Sequence, residues 1–333
     1  MQRSAGVAAV AIAVLIGSIL LLGLGALAAG LALVMPQIPR PDGTPAASIA
    51  ALMLVGSLVY ILPGIWGVVS GIGLWRLKNW ARVSTIVLAV LAGFGGAMAL
   101  LIAFVFLALP LPSSEGLDPV AAARALAIAR GVIFALSVVL LGIAIWWGVI
   151  LTRPAVVRQF TGDAEGKGTA TGLPLSISVV AVLMLIGAPL AFVSILMRTP
   201  VPLFTTILTG WAAVAYAIGL AGILTYCGWG LLHRKPEARL LSIAYFVVAL
   251  VSSGVFFLAP GHEARLTALT AAQHALLPFV STSASSPAVP AHLQMVFGLV
   301  GGLVGAVVPL YFLVTRRAAF RPPSDPIWPD APG

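Results

Sequence analysis

The chain has 333 residues, 61% of them hydrophobic and 8% charged, with 18 basic against 9 acidic side chains and a net charge of +9. Soluble domains carry about 25% charged residues, so so few charges cannot cover a water-soluble fold of this size; a soluble enzyme, a nucleic-acid-binding domain and a disordered chain are excluded. The single cysteine, Cys227, excludes an intrachain disulfide, a CxxC redox pair and a multi-cysteine metal site, and its apolar surroundings predict a small core residue.

A helix crossing ~30 Å of hydrocarbon needs about 20 apolar residues. Eight stretches qualify: 7–35, 48–74, 82–109, 131–151, 174–197, 205–232, 240–259 and 293–314. Their interiors hold no acidic or basic residue, Arg82 standing only at the start of the third. The first has signal-like features, Arg3 before it and Ala26-Leu27-Ala28 within it. Its apolar run is much longer than the ~7–15 residues of a signal core, which predicts a retained helix. Pro63, Pro189 and Pro309 fall inside the second, fifth and eighth stretches, where each removes a backbone hydrogen bond. The polar, glycine-containing region 152–173 reads as a linker. After the seventh stretch, Leu266, Leu269, Leu276 and Leu277 predict a short helix at 262–277 lying on the outer membrane face, with Ser281 to Pro290 as a tether. Pro323, Pro326, Pro329 and Pro332 would share one face of a polyproline II helix beside Trp328, a pattern expected in a disordered tail.

Alternate loops differ in charge. Arg3, the 76–82 turn, the 153–167 region, the 234–239 turn and the 316–321 segment together carry 13 basic residues, against 5 in the other set (Arg40, Arg124, Arg130, Arg198 and Arg265). Basic residues in short loops stay cytoplasmic, so a bacterial inner-membrane protein with both termini inside is expected. Trp75, Trp80, Trp146, Trp147 and Trp229 fall near the same helix ends, at headgroup level.

The sequence also repeats. Gly71-Ile-Gly-Leu-Trp-Arg-Leu-Lys-Asn-Trp-Ala-Arg82 recurs as Gly228-Trp-Gly-Leu-Leu-His-Arg-Lys-Pro-Glu-Ala-Arg239, an offset of 157. The segment from Thr152 to Arg158 is echoed from Thr315 to Arg321 at an offset of 163. The expected organisation is a four-helix repeat at 1–160, a linker at 161–172, a second repeat at 173–321 and a proline-rich tail at 322–333. Four helices is an even number, so the repeats are parallel, and the fold class is an all-α membrane protein of eight spans. A glycine-rich helix end followed by a basic turn closing on Trp80-Ala81-Arg82 resembles a recurring, uncharacterised bacterial four-helix membrane domain. The segment from Thr152-Arg153-Pro154 to Phe160 is similar to the one that closes that domain, whereas the second copy departs from it at Glu237 and Arg317. The resemblance implies architecture and no activity.

Candidate chemistry is sparse. Acidic and basic groups at membrane depth mark ion pathways and proton relays, and the span interiors contain none. His262, His274 and His292 share one outer loop, and His262-Glu263 begins like a zinc-protease motif, but Leu266 stands where the second histidine belongs. Gly23-Leu-Gly25-Ala-Leu-Ala28 fits a permissive dinucleotide pattern, yet lies mid-helix without a preceding strand. Ser252, Ser253, Thr205, Thr206 and Thr209 have no base at membrane depth to activate them and are expected to bond their own helix's carbonyls or a neighbouring helix. Gly67 and Gly71 on the second span, and Gly298, Gly301, Gly302 and Gly305 on the eighth, are expected to form a helix-packing or oligomer face. Arg76, Lys78, Arg82, Arg234, Lys235 and Arg239 are candidate contacts to anionic lipid, and they equally serve to set topology. No catalytic residue, metal, cofactor or nucleic-acid partner is expected. The reading is a non-enzymatic structural or accessory subunit whose partners are membrane lipids and a membrane-protein partner or second copy; the alternative is a transporter or channel for an uncharged or lipophilic solute.

Overall fold

A computed structural model describes residues 4–34, 46–108, 119–161, 173–196, 198–276 and 291–320. Ten helices run in the order α1 (Ala5–Val34), α2 (Ala46–Trp75), α3 (Asn79–Ala108), α4 (Pro119–Thr152), α5 (Pro154–Thr161), α6 (Leu175–Leu196), α7 (Gly210–Leu232), α8 (Pro236–Leu258), α9 (His262–Leu276) and α10 (Ala291–Thr315). Two short strands, β1 (Val201–Leu203) and β2 (Thr206–Leu208), separate α6 from α7, and a 3-10 turn at Arg317–Phe320 follows α10. Among the described residues eight helices are long and apolar enough to cross a membrane. A 30-residue helix such as α1 is about 45 Å long, more than the hydrocarbon thickness. The expected tether, linker residues 162–172 and proline-rich tail lie outside the described residues.

Several boundaries differ from the expected ones, each for a local reason. The sixth span begins at Gly210, not 205, because residues 201–208 form an antiparallel hairpin with Val201 opposite Leu208 and Leu203 opposite Thr206. Apolar, β-branched residues support a strand as readily as a helix start. Helix α4 begins twelve residues before 131, through the alanine-rich segment that carries Arg124 and Arg130, since alanine has the highest helix propensity. Residues 154–161, expected within a linker, form α5, opened by a proline at its first position. The expected 262–277 helix is α9, with Leu266 buried. It takes His262 and His274 out of the predicted loop, and His292 falls on α10.

The described residues fall into two compact units, one within Met1–Ala170 with Leu277–Leu293, the other within Thr171–Leu276 with Gln294–Gly333. In the first, α1 and α2 pack antiparallel: a Cβ on Gly64 would sit 2.8 Å from Leu22 and one on Gly71 2.7 Å from Leu15, while Gly67 meets Ser18. Bare glycines let the backbones approach where lipid tails offer no hydrophobic drive to association. Helices α3 and α4 pair likewise, Gly93 against Ala144 and Gly96 against Leu141. In the second unit Leu173, Ile177, Ala181, Cys227, Leu231 and Leu313 belong to one buried cluster, with Cys227 fully enclosed. Helices α8 and α10 meet where Phe257 covers Gly298 and Ser253 covers Gly302. Outward-facing residues such as Leu20, Leu62, Leu136 and Leu240 are about three-fifths exposed, surface that hydrocarbon solvates and water does not.

The glycine seams lead to a direct comparison. Gly67→Leu forces a side chain into Ser18 and is expected to cost about 1–3 kcal/mol or more. Gly305→Leu enters open space and should cost under about 0.5 kcal/mol. Thermal unfolding midpoints of the two variants in one detergent check this; equal midpoints would refute the seam.

Candidate functional site

The two basic turns have one backbone. At the end of α2, Lys78 N–H donates to the Gly73 carbonyl (2.9 Å) and Leu77 N–H to that of Leu74 (3.0 Å); at the end of α7, Lys235 and Arg234 do the same to Gly230 (2.9 Å) and Leu231 (3.1 Å). These paired bonds make a Schellman closure, which needs a left-handed residue just past the helix. Leu77 (φ 52°) and Arg234 (φ 58°) occupy it. Each closure folds back tightly: Gly73 lies under Ala81 and Gly230 under Ala238, leaving no room for a Cβ at either glycine.

The side chains of the two turns differ. Arg76, Lys78 and Arg234 are exposed. Lys235 lies over the Trp229 ring, 4.5 Å from its centroid. Arg239 Nε donates to the Leu313 carbonyl at 2.8 Å, in the last turn of α10, and its guanidinium sits over Phe320. A cation in that place caps orphan carbonyls and complements the helix dipole. Arg82, at the matching position of the first unit, is only 5% exposed and its Nε has no hydrogen-bond partner; Asn79 Oδ1, three residues earlier, is enclosed and unpaired too. The six basic residues are therefore not one equivalent set.

Of the predicted glycine face, Gly67, Gly71, Gly298 and Gly302 are occupied by neighbouring helices of their own unit, Gly301 is half-buried and Gly305 borders open space. The hydroxyls divide similarly. Ser18, Ser57, Thr85, Ser137, Thr225 and Ser242 donate to carbonyls of their own helices. Ser252 instead accepts from the Phe204 N–H at 2.9 Å, tying the hairpin to α8. Thr205, Thr206 and Thr209, expected at membrane depth, belong to the hairpin and its exit.

Sequence reasoning missed three arrangements. Trp66 Nε1 donates to Ser84 Oγ (2.6 Å), which also shares a hydrogen bond with Ser70 Oγ (2.7 Å), a buried link between α2 and α3. The one-turn spacing of Trp66 and Ser70 was its only sequence signal. Arg265, which reads as a loop cation, closes α8 by donating to the carbonyls of Phe256, Ala259 and Pro260 at 2.7–3.1 Å. A cavity of about 210 Å³ lies beside α7, α8 and β1, lined by Tyr216, Tyr245, Ser252, Ser253, Phe256 and Phe257 among others. Among the described residues no group of three His, Cys, Asp or Glu side chains is placed to hold a metal.

Eight apolar helices of spanning length, with apolar side chains turned outward, define a polytopic integral membrane protein. No protein-family model matches the chain, and no curated protein or solved structure matches it either.

The contrast at the turns predicts unequal stability effects. Arg239→Met removes a charge-assisted hydrogen bond worth about 1.5–3 kcal/mol and should lower the unfolding midpoint in detergent by several degrees. Lys235→Met, which removes a ring contact worth about 0.5–1 kcal/mol, should shift it less. The reverse order would remove Arg239 from its capping role.

Proposed function

We propose that the protein is a non-enzymatic structural or accessory subunit of a bacterial cytoplasmic membrane, a tandem four-helix duplication with both termini in the cytoplasm. One observation carries this reading: Ser18, Thr85, Ser137 and Ser242, within the spans, give their hydroxyl protons to carbonyls of their own helices. Catalysis or ion transfer at membrane depth needs a polar group free to act, and the span interiors contain no acidic or basic residue. The duplication is supported by the matched closures at Leu77 and Arg234, 157 residues apart. The orientation rests on the basic residues gathered at one set of loops. Lipids contact the exposed apolar faces, and the open side of α10 around Gly305, Leu303 and Tyr311 is the surface offered to a partner helix.

The cavity beside α7 and α8 favours a second reading, transport or binding of an uncharged, lipophilic solute. Its aromatic rings and two phenols suit a neutral amphipathic molecule. Extraction into native lipid particles, followed by mass spectrometry of everything that travels with the chain, separates the two. A stoichiometric membrane-protein partner is the expected result. A solitary chain carrying a defined neutral solute would overturn the accessory reading in favour of transport.

A further inference from the structure

We infer that the turn between α2 and α3 binds a phosphate ester of the anionic-phospholipid class, with Arg82 as the residue that holds the anion. This deepens the accessory reading, whose basic turns it divides into one binding turn and one structural turn.

A guanidinium taken out of water costs several kcal/mol unless it is paired. Arg82 is 5% exposed, its Nε donates to nothing, and among the described residues of its unit there is no Asp or Glu. Asn79 shares its helix face, three residues earlier, and also has an enclosed, unpaired atom. A half-turn of that amide exchanges Oδ1 for a donating Nδ2. Helical side chains lean toward the N-terminus of their helix. Arg82 therefore leans back toward the first turn of α3, where the Ala81 and Arg82 N–H groups bond the Lys78 carbonyl and those of Asn79 and Trp80 remain to favour an anion. Arg76 and Lys78 lie exposed on the same turn, where they add long-range attraction to an anionic surface. Trp80, 51% exposed, places an amphipathic ring at headgroup level.

The second unit is the internal control. There the same backbone carries Arg239 bonded to Leu313 and Lys235 stacked on Trp229. Proline stands in place of Asn79 and Glu237 in place of Trp80. An anion would find its principal donor already used and a carboxylate beside it.

The test uses the full chain in detergent, with phosphatidylglycerol or phosphatidylcholine added and retained lipid counted by native mass spectrometry. Wild type should hold phosphatidylglycerol in preference to phosphatidylcholine. Arg82→Met should weaken that retention about tenfold or more, as loss of a charge-assisted bond implies, and Arg239→Met should leave it unchanged. Competition by inorganic phosphate would support a free-anion site of the same chemistry, whereas indifference to it would support the whole lipid. Equal retention by Arg82→Met and wild type, or equal losses in both variants, would overturn the assignment. The unfolding midpoint without anionic lipid guards against misreading a folding defect: it should not fall in Arg82→Met, which removes an unpaired buried charge. A collapse there would make Arg82 a structural residue and end the proposal. Partner co-purification is a separate readout, so failure here leaves the accessory reading standing.

Discussion

In hydrocarbon no water is present to satisfy a peptide group, so every backbone N–H and C=O must find its partner inside the protein. The described structure follows from that constraint. Spanning segments are helices, because only a helix satisfies its backbone locally, and the one hairpin lies between spans, with the Phe204 N–H of its loop taken up by Ser252. The same constraint disposes of the side chains. Ser18, Thr85, Ser137 and Ser242 return their protons to their own helices, and Arg265 and Arg239 sit where helix ends would otherwise leave carbonyls bare.

A membrane also removes the force that packs soluble helices, since lipid tails are as apolar as leucine. Close approach and dispersion must replace it. Glycine supplies that approach at four antiparallel pairings among the described residues, α1 with α2, α3 with α4, α6 with α7, and α8 with α10. Their neighbours, among them Ser18, Ala144, Leu15 and the Phe257 ring over Gly298, fill the space a side chain would occupy. The larger apolar residues are left facing outward, which inverts the order of a soluble fold and explains why Leu20 and Leu62 are exposed without penalty.

The spans were legible because length and charge exclusion are properties of continuous segments. What the sequence hid was local competition. Residues 201–209 are apolar enough to pass for the start of a span, yet Pro202 and the β-branched residues beside it suit a hairpin, and Gly210 at φ 56° opens the helix. Helix α5 was obscured by the polar region that follows it. The link among Trp66, Ser70 and Ser84 joins two helices, and pairings of that kind leave no periodic trace in one of them. The basic turns were found by repetition, but repetition conceals difference. Arg82 and Arg239 occupy identical positions in the pattern, and only the structure separates a cation that is satisfied from one that is not.

That separation bears on how two turns of one backbone can differ in role. The Schellman closure is a backbone device, and Gly73 under Ala81 and Gly230 under Ala238 keep it the same in both units whatever the side chains around it do. The closure therefore leaves the outer positions of the turn free to change. In the second turn Pro236 and Glu237 stand where the first has Asn79 and Trp80, and the Leu313 carbonyl takes up the cation of Arg239. The desolvation cost falls on the first turn, where Arg82 is enclosed with its Nε unpaired. The two turns share one geometry; the second fastens its own helices through Arg239, and under our proposal the first receives an anion from the bilayer surface.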